Sequence, residues 1–98
     1  MSKEADIVFQ NNTFLLTGEL DFSNVMSVYY KSLQYLKGTS ELVFDFSQLK
    51  NSNSSGLALI LEWVKTSKRY NTPVRFKSLS NDLLLIAQIS GLNAIITR

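Results

Sequence analysis

Strand-like and helix-like segments alternate along most of the chain, and this alternation constrains the fold more than any other feature. In "ELVFDF", residues 41–46, three apolar residues follow one another, as in a central strand covered on both faces. Apolar residues recur at helical spacing before it, from Val25 to Leu36, and after it, from Ser55 to Tyr70. Such a pattern is typical of an α/β domain in which right-handed crossovers place helices against a mostly parallel sheet.

The amino-terminal part predicts a hairpin followed by the first helix. Two β-type segments, Ile7 to Phe9 and Thr13 to Thr17, flank the pair Asn11-Asn12, and asparagine is frequent in tight turns. Ser23 is a suitable N-cap for the helix that follows. We expect Gly38 to end that helix, because a left-handed residue commonly terminates helices.

The carboxyl-terminal part predicts two further helices and two short strands. Pro73 prevents the second helix from continuing, so "VRF", residues 74–76, begins a strand. Ser80 is a candidate cap for a third helix, and "AIIT", residues 94–97, is a candidate last strand. We therefore predict the order β-β-α-β-α-β-α-β. It corresponds to one α/β domain over residues 1–98, with a small mixed sheet of about four or five strands and about three main helices.

Missing residue types narrow the possible functions. The chain has no cysteine and no histidine, which excludes thiolate and histidine metal sites and the Ser-His and Cys-His nucleophile pairs. Its net charge of +2 is dispersed, which does not favour nucleic acid as a partner. Apolar runs such as Leu83 to Ala87 are far shorter than the roughly 20 residues of a spanning helix. We expect a cytoplasmic, non-enzymatic protein without cofactor or metal, which is peripheral to a membrane only through a partner.

The segment "NSNSSGLALILEW", residues 51–63, contains more small polar side chains than the start of a helix requires. Either Ser54 or Ser55 suffices as an N-cap. The segment also follows the predicted central strand, and α/β domains usually have their sites at the carboxyl edge of the sheet. Two interpretations therefore remain open: a well-capped helix, and a functional site that includes a serine hydroxyl.

The stretch "FDFSQLKNSNSSGLALIL" resembles the signature of STAS domains, the fold shared by sulfate transporters and anti-sigma-factor antagonists. The matching residues are Asp45, Asn53, Ser54, Ser55, Gly56 and Leu57. The segment "LTGELD", residues 16–21, and the order of elements match as well, so the resemblance covers nearly the whole chain. Asn53 replaces the aspartate that is usual in the family, which removes a charge but keeps a hydrogen-bonding side chain.

Two branches of this family imply different functions. "SGLALILEW" is more similar to the small STAS subunit of the Mla phospholipid-transport ABC complex, which supports the cytoplasmic ATPase subunit. This likeness implies binding to the ATPase subunit and, through it, to the membrane permease, in a system that maintains outer-membrane lipid asymmetry. The alternative is an anti-sigma-factor antagonist, in which a partner kinase phosphorylates the serine that matches Ser54.

Helical spacing divides the second predicted helix into two faces. At about 100° per residue, Leu57, Ile60, Leu61, Val64 and Lys68 share one face, which we expect to pack in the core. We expect the opposite face to be exposed and to bind the partner through aromatic and apolar side chains. The predicted partner-binding residues are Asn53, Ser54, Ser55, Gly56, Leu59, Glu62, Trp63, Thr66 and Tyr70, and Ser54 is also the candidate phospho-acceptor.

Overall fold

Four strands and three α-helices make up the described part of the chain, which a computed structural model gives as residues 4–36, 39–51 and 53–89. The strands lie side by side in the order β1 (Asp6–Gln10), β2 (Thr13–Glu19), β3 (Leu42–Asn51) and β4 (Val74–Lys77). The helices are α1 (Val25–Ser32), which a 3-10 turn extends over Leu33–Tyr35, α2 (Asn53–Arg69) and α3 (Asn81–Ile89). The predicted fold class is confirmed. The predictions for Gly38 and for residues 94–97 lie outside the described residues.

The predicted hairpin is confirmed. β1 and β2 are antiparallel, and Gln10 lies opposite Thr13, so Asn11 and Asn12 form a two-residue turn. Their φ angles are 51° and 59°. A type I′ turn needs positive φ at both central residues, and asparagine tolerates this conformation better than most residues.

The remaining strand pairs are parallel, because α1 connects β2 to β3 and α2 connects β3 to β4. The helices cover one face of the sheet, where Phe14 and Phe44 are buried and stack with ring centroids 4.8 Å apart. The indole ring of Trp63 also stacks on Phe44, with a centroid distance of 3.7 Å. Aromatic stacking between sheet and helix therefore forms the centre of the core.

The starts of α1 and α3 differ from each other in how they are capped. Ser80 Oγ accepts a hydrogen bond from the Leu83 N–H at 3.1 Å, as predicted for α3. At α1 the prediction of Ser23 as N-cap is wrong, because the N-cap residue is Asn24 and it makes no side-chain cap bond. The Asp21 carboxylate instead accepts the Ser23 N–H at 2.8 Å and the Ser23 hydroxyl at 2.5 Å. An ionised carboxylate is a stronger acceptor than a serine hydroxyl.

Within the described residues, none of the helices is both long enough and apolar enough to cross a membrane.

Candidate functional site

The face of α2 that we predicted to be exposed is buried. Leu59 and Trp63 have no exposed surface, and Thr66 is 1% exposed. The Trp63 indole N–H donates to Ser32 Oγ at 2.9 Å, and the hydroxyls of Thr66 and Tyr29 are 2.6 Å apart. Ser32 and Tyr29 belong to α1, so this face of α2 forms the contact between the two helices. The prediction that Leu59, Trp63 and Thr66 present an exposed docking face is therefore wrong.

The prediction of an exposed face failed because α2 is buried over a wider arc than the single face that helical spacing indicated. Of the residues that we predicted to be internal, Leu57, Ile60 and Val64 are buried as well. Leu61 is only half-buried, and the prediction is wrong for Lys68, which is exposed. Residues from both predicted faces thus share a buried arc of about half the helix circumference. α2 packs against β4 and also between α1 and α3. A division into one buried and one exposed face predicts burial correctly for a helix that packs against a single layer. It fails for α2, which has neighbours on three sides.

The other predicted partner-binding residues lie far apart. Ser54 is exposed in the first turn of α2, and Tyr70, just beyond its end, is 55% exposed. At about 1.5 Å of rise per residue they are roughly 24 Å apart. Glu62 is partly exposed, and its Oε1 lies 3.5 Å from Lys65 Nζ. These side chains do not form one surface, and the side chain of Asn53 lies outside the described part of the structure.

The two serines at the start of α2 have different environments, and neither is its N-cap as predicted, because the helix already begins at Asn53. Ser55 is completely buried, and its hydroxyl donates to the Leu20 carbonyl at 3.2 Å. This bond fixes the first turn of α2 against the connection between β2 and α1. Gly56 is buried beside it, whereas Ser54 is exposed. Ser55 therefore has a structural role, and the hydroxyl of Ser54 is accessible to another molecule.

The surroundings of Ser54 are the carboxyl ends of two parallel strands. Glu19 at the end of β2 pairs with Asn51 at the end of β3. The exposed Asp21 follows in the next loop. Hydrogen bonds from the Ser23 hydroxyl and the Ser23 N–H lower the pKa of the Asp21 carboxyl, so it is ionised at neutral pH. We call this region, with Ser54 and Asp21, the Ser54 edge.

Three exposed apolar residues next to the Ser54 edge were missed by the sequence analysis. Phe22, Met26 and Tyr30 are 69%, 42% and 60% exposed. Their spacing of four residues places them along one side of α1. The sequence carried a signal for them, because Val25, Val28 and Tyr29 already supply the buried face of this helix. A second apolar series in so short a helix is unexplained by the core.

A shallow groove of about 250 Å³ lies elsewhere, near the start of β2. Its lining includes one carboxylate, Asp45, and one ammonium group, Lys77. Among the described residues, no three potential ligands from histidine, cysteine, aspartate and glutamate come together to hold a metal ion.

Several solved structures share this fold. The anti-sigma factor antagonist SpoIIAA in its unphosphorylated form superimposes with a TM-score of 0.69 at 22% identity, over 94% of this chain and 84% of that one. The phosphorylated form of SpoIIAA, a Bacillus cell fate determinant, gives 0.66 at 22% identity, over 94% and 87%. The STAS domain of an anti-sigma-factor antagonist from Rhodobacter sphaeroides gives 0.58 at 14% identity, over 74% and 83%. At these identities the likeness establishes the fold.

No curated protein matches the chain in sequence. A family model described as "Mlab, STAS domain" does match, and it extends over residues 5–97. This match includes both strands of the hairpin, the Ser54 edge and all three helices. It confirms the resemblance that residues 44–61 and 16–21 indicated. The chain therefore belongs to the Mlab family of STAS domains.

Proposed function

We propose that this protein is a non-catalytic subunit of an ABC-type phospholipid transport complex. It binds the ATPase subunit in the cytoplasm, is peripheral to the inner membrane through the complex and its permease, and helps to maintain outer-membrane lipid asymmetry. The match to the Mlab family model over residues 5–97 is the observation that carries this proposal. The absence of a G-x-x-x-x-G-K-[ST] motif supports a role without ATP hydrolysis by this chain.

The Ser54 edge is the proposed contact with the ATPase subunit. The buried bond from Ser55 to Leu20 holds the backbone next to Ser54 in place, so little ordering is needed when a partner binds. Binding to the folded or assembled ATPase favours that state by mass action, without any contact between this protein and ATP.

Addition of a charge at Ser54 tests this contact. We expect Ser54→Asp to weaken binding to the purified ATPase subunit about tenfold or more, because an interface would bury the new carboxylate without a partner. Co-purification and isothermal titration calorimetry measure the effect.

Ser40→Asp is the matched control for that experiment. Ser40 is also exposed, but it precedes β3 and therefore lies at the opposite edge of the sheet from Ser54. Binding by Ser40→Asp should equal that of the wild type. Unchanged affinity of Ser54→Asp would remove the Ser54 edge from the interface, and failure of the wild type to bind would contradict the proposed function.

The second candidate function is that of an anti-sigma-factor antagonist that a partner kinase phosphorylates on Ser54. Two observations favour it: the structures of SpoIIAA in phosphorylated and unphosphorylated forms share the fold, and Ser54 is exposed. Intact-mass measurement of protein from growing cells distinguishes the two functions. A stoichiometric phosphate that Ser54→Ala abolishes would favour the antagonist.

A further inference from the structure

We propose that Phe22, Met26 and Tyr30, here called the α1 stripe, form an apolar docking surface that the ATPase subunit covers. This inference rests on the proposed function for the identity of the partner, and it adds a second element to the interface. The α1 stripe, in place of the buried residues of α2, supplies the apolar part of the proposed contact.

Folding of the chain does not account for the α1 stripe. The three residues are 69%, 42% and 60% exposed, so a large part of their surface contacts water. From the usual side-chain areas they expose roughly 300 to 400 Å² together. A patch of that size matches the largest apolar patch of a typical monomer, which is often functional.

The α1 stripe is continuous with the Ser54 edge. Ser55 bonds to the carbonyl of Leu20, and Phe22 is only two residues further along the chain. The Asp21 carbonyl already accepts the Val25 N–H at 3.0 Å, so helical hydrogen bonding begins before α1 itself. Phe22 therefore precedes Met26 by one helical turn, and one partner can contact Ser54 and the stripe together.

The charges around the stripe indicate the chemistry of its partner. The charged residues beside the stripe are Asp21, whose carboxylate accepts hydrogen bonds from Ser23, and Lys31, whose Nζ lies 2.6 Å from Asp6 Oδ1. The exposed arc of α2 is different, because Lys65, Lys68 and Arg69 are exposed there. The stripe thus offers apolar and aromatic contact with little charge, which is the composition of an interface core. Its complement is an apolar patch on the ATPase subunit.

The size of the stripe argues against a second copy of this chain as the occupant. Two stripes packed together would bury roughly 600 to 800 Å², whereas stable interfaces bury about 1,200 to 2,000 Å². A partner that covers the Ser54 edge as well buries more area than the stripe alone.

Two tyrosines with similar exposure provide a matched test. We expect Tyr30→Ser, and independently Met26→Ser, to weaken binding to the purified ATPase subunit about tenfold, since aromatic and apolar anchors dominate interface energetics. Tyr70→Ser is the control, because Tyr70 is 55% exposed just beyond the far end of α2, roughly 24 Å from Ser54, and therefore lies outside the interface proposed here, contrary to the prediction from the sequence. Calorimetric titration gives the affinities, and circular dichroism with thermal unfolding verifies that every variant is folded.

The outcomes separate this inference from the proposed function. Wild-type affinity in both stripe variants, together with loss of binding by Ser54→Asp, overturns the stripe and leaves the proposed function intact. A dimer of the wild type that Tyr30→Ser dissociates, measured by sedimentation, overturns the ATPase subunit as the occupant. Failure of the wild type to bind the ATPase subunit overturns both proposals.

Discussion

Ser55 donates its hydroxyl hydrogen to the Leu20 carbonyl, whereas the side chain of Ser54, one residue earlier, faces solvent. Successive helical residues point about 100° apart, so neighbours in sequence can have opposite environments. Sequence analysis found both serines but did not distinguish their roles, since each is a good N-cap. The difference between the two serines depends on the bond from Ser55 to Leu20, which lies 35 positions earlier in the chain. A local sequence pattern contains no information about so distant a residue.

Replacement of each serine by alanine should separate the two roles. Ser55→Ala leaves the buried Leu20 carbonyl without its donor, and we expect the free energy of unfolding to fall by about 1 to 3 kcal/mol. Ser54→Ala removes an exposed hydroxyl and should change it by less than about 0.5 kcal/mol. Urea unfolding curves measure both values. Equal decreases in the free energy of unfolding for Ser55→Ala and Ser54→Ala would contradict the structural role assigned to Ser55.

Individual elements were predictable to the extent that their determinants are local. Asn11-Asn12 specified the hairpin because positive φ at two successive residues is a property of the turn itself. The bounds of α2 were close to those predicted, since Pro73 ends any helix before it. The exposed face of α2 was not predictable, because Trp63 and Thr66 contact α1, and spacing along one helix contains no information about its neighbours.

The start of α1 should loosen in acid. The pKa of Asp21 is lowered because its carboxylate accepts hydrogen bonds from the Ser23 hydroxyl and N–H and from the Asn24 N–H. This stabilisation is complete above the ordinary aspartate pKa and is lost as the pH falls through the lowered value. Amide chemical shifts of Ser23 and Asn24 in an acid titration should change below the ordinary aspartate range.

Asp21→Asn is the control for that titration, because asparagine keeps an acceptor of the same shape and does not ionise. The acid transition at Ser23 and Asn24 should be absent in this variant. A transition centred on the ordinary aspartate pKa in the wild type would contradict the hydrogen bonding described for Asp21.

The described residues of the molecule are organised around one hydrophobic core. Ile7 of β1, Val28 of α1, Trp63 of α2 and Leu83 of α3 belong to the same cluster of buried side chains. The order of strands and helices was predictable because it follows from successive local patterns. The degree to which the helices cover one another follows from packing and was not predictable.

A shared core predicts a single unfolding transition. Trp63 is the sole tryptophan of the chain and stacks on Phe44 at the centre of the core. Its fluorescence should therefore follow the same urea dependence as the far-ultraviolet circular dichroism of the whole chain. Fluorescence that changes at clearly lower urea concentration than the circular dichroism would show that α2 detaches independently.

The hydrogen bonds between α1 and α2 also determine how a signal at Ser54 can travel. A rotation of α2 about its axis would separate the Trp63 indole from Ser32 and the Thr66 hydroxyl from Tyr29, and each pair is buried. Ser32 and Thr66 would keep their hydrogen bonds to carbonyls of their own helices, but the Trp63 indole N–H and the Tyr29 hydroxyl would lose these partners, at a cost of about 1 to 3 kcal/mol for each. We therefore expect α2 to keep its orientation on α1 when another molecule contacts Ser54, so that the effect of such a contact stays local to that surface.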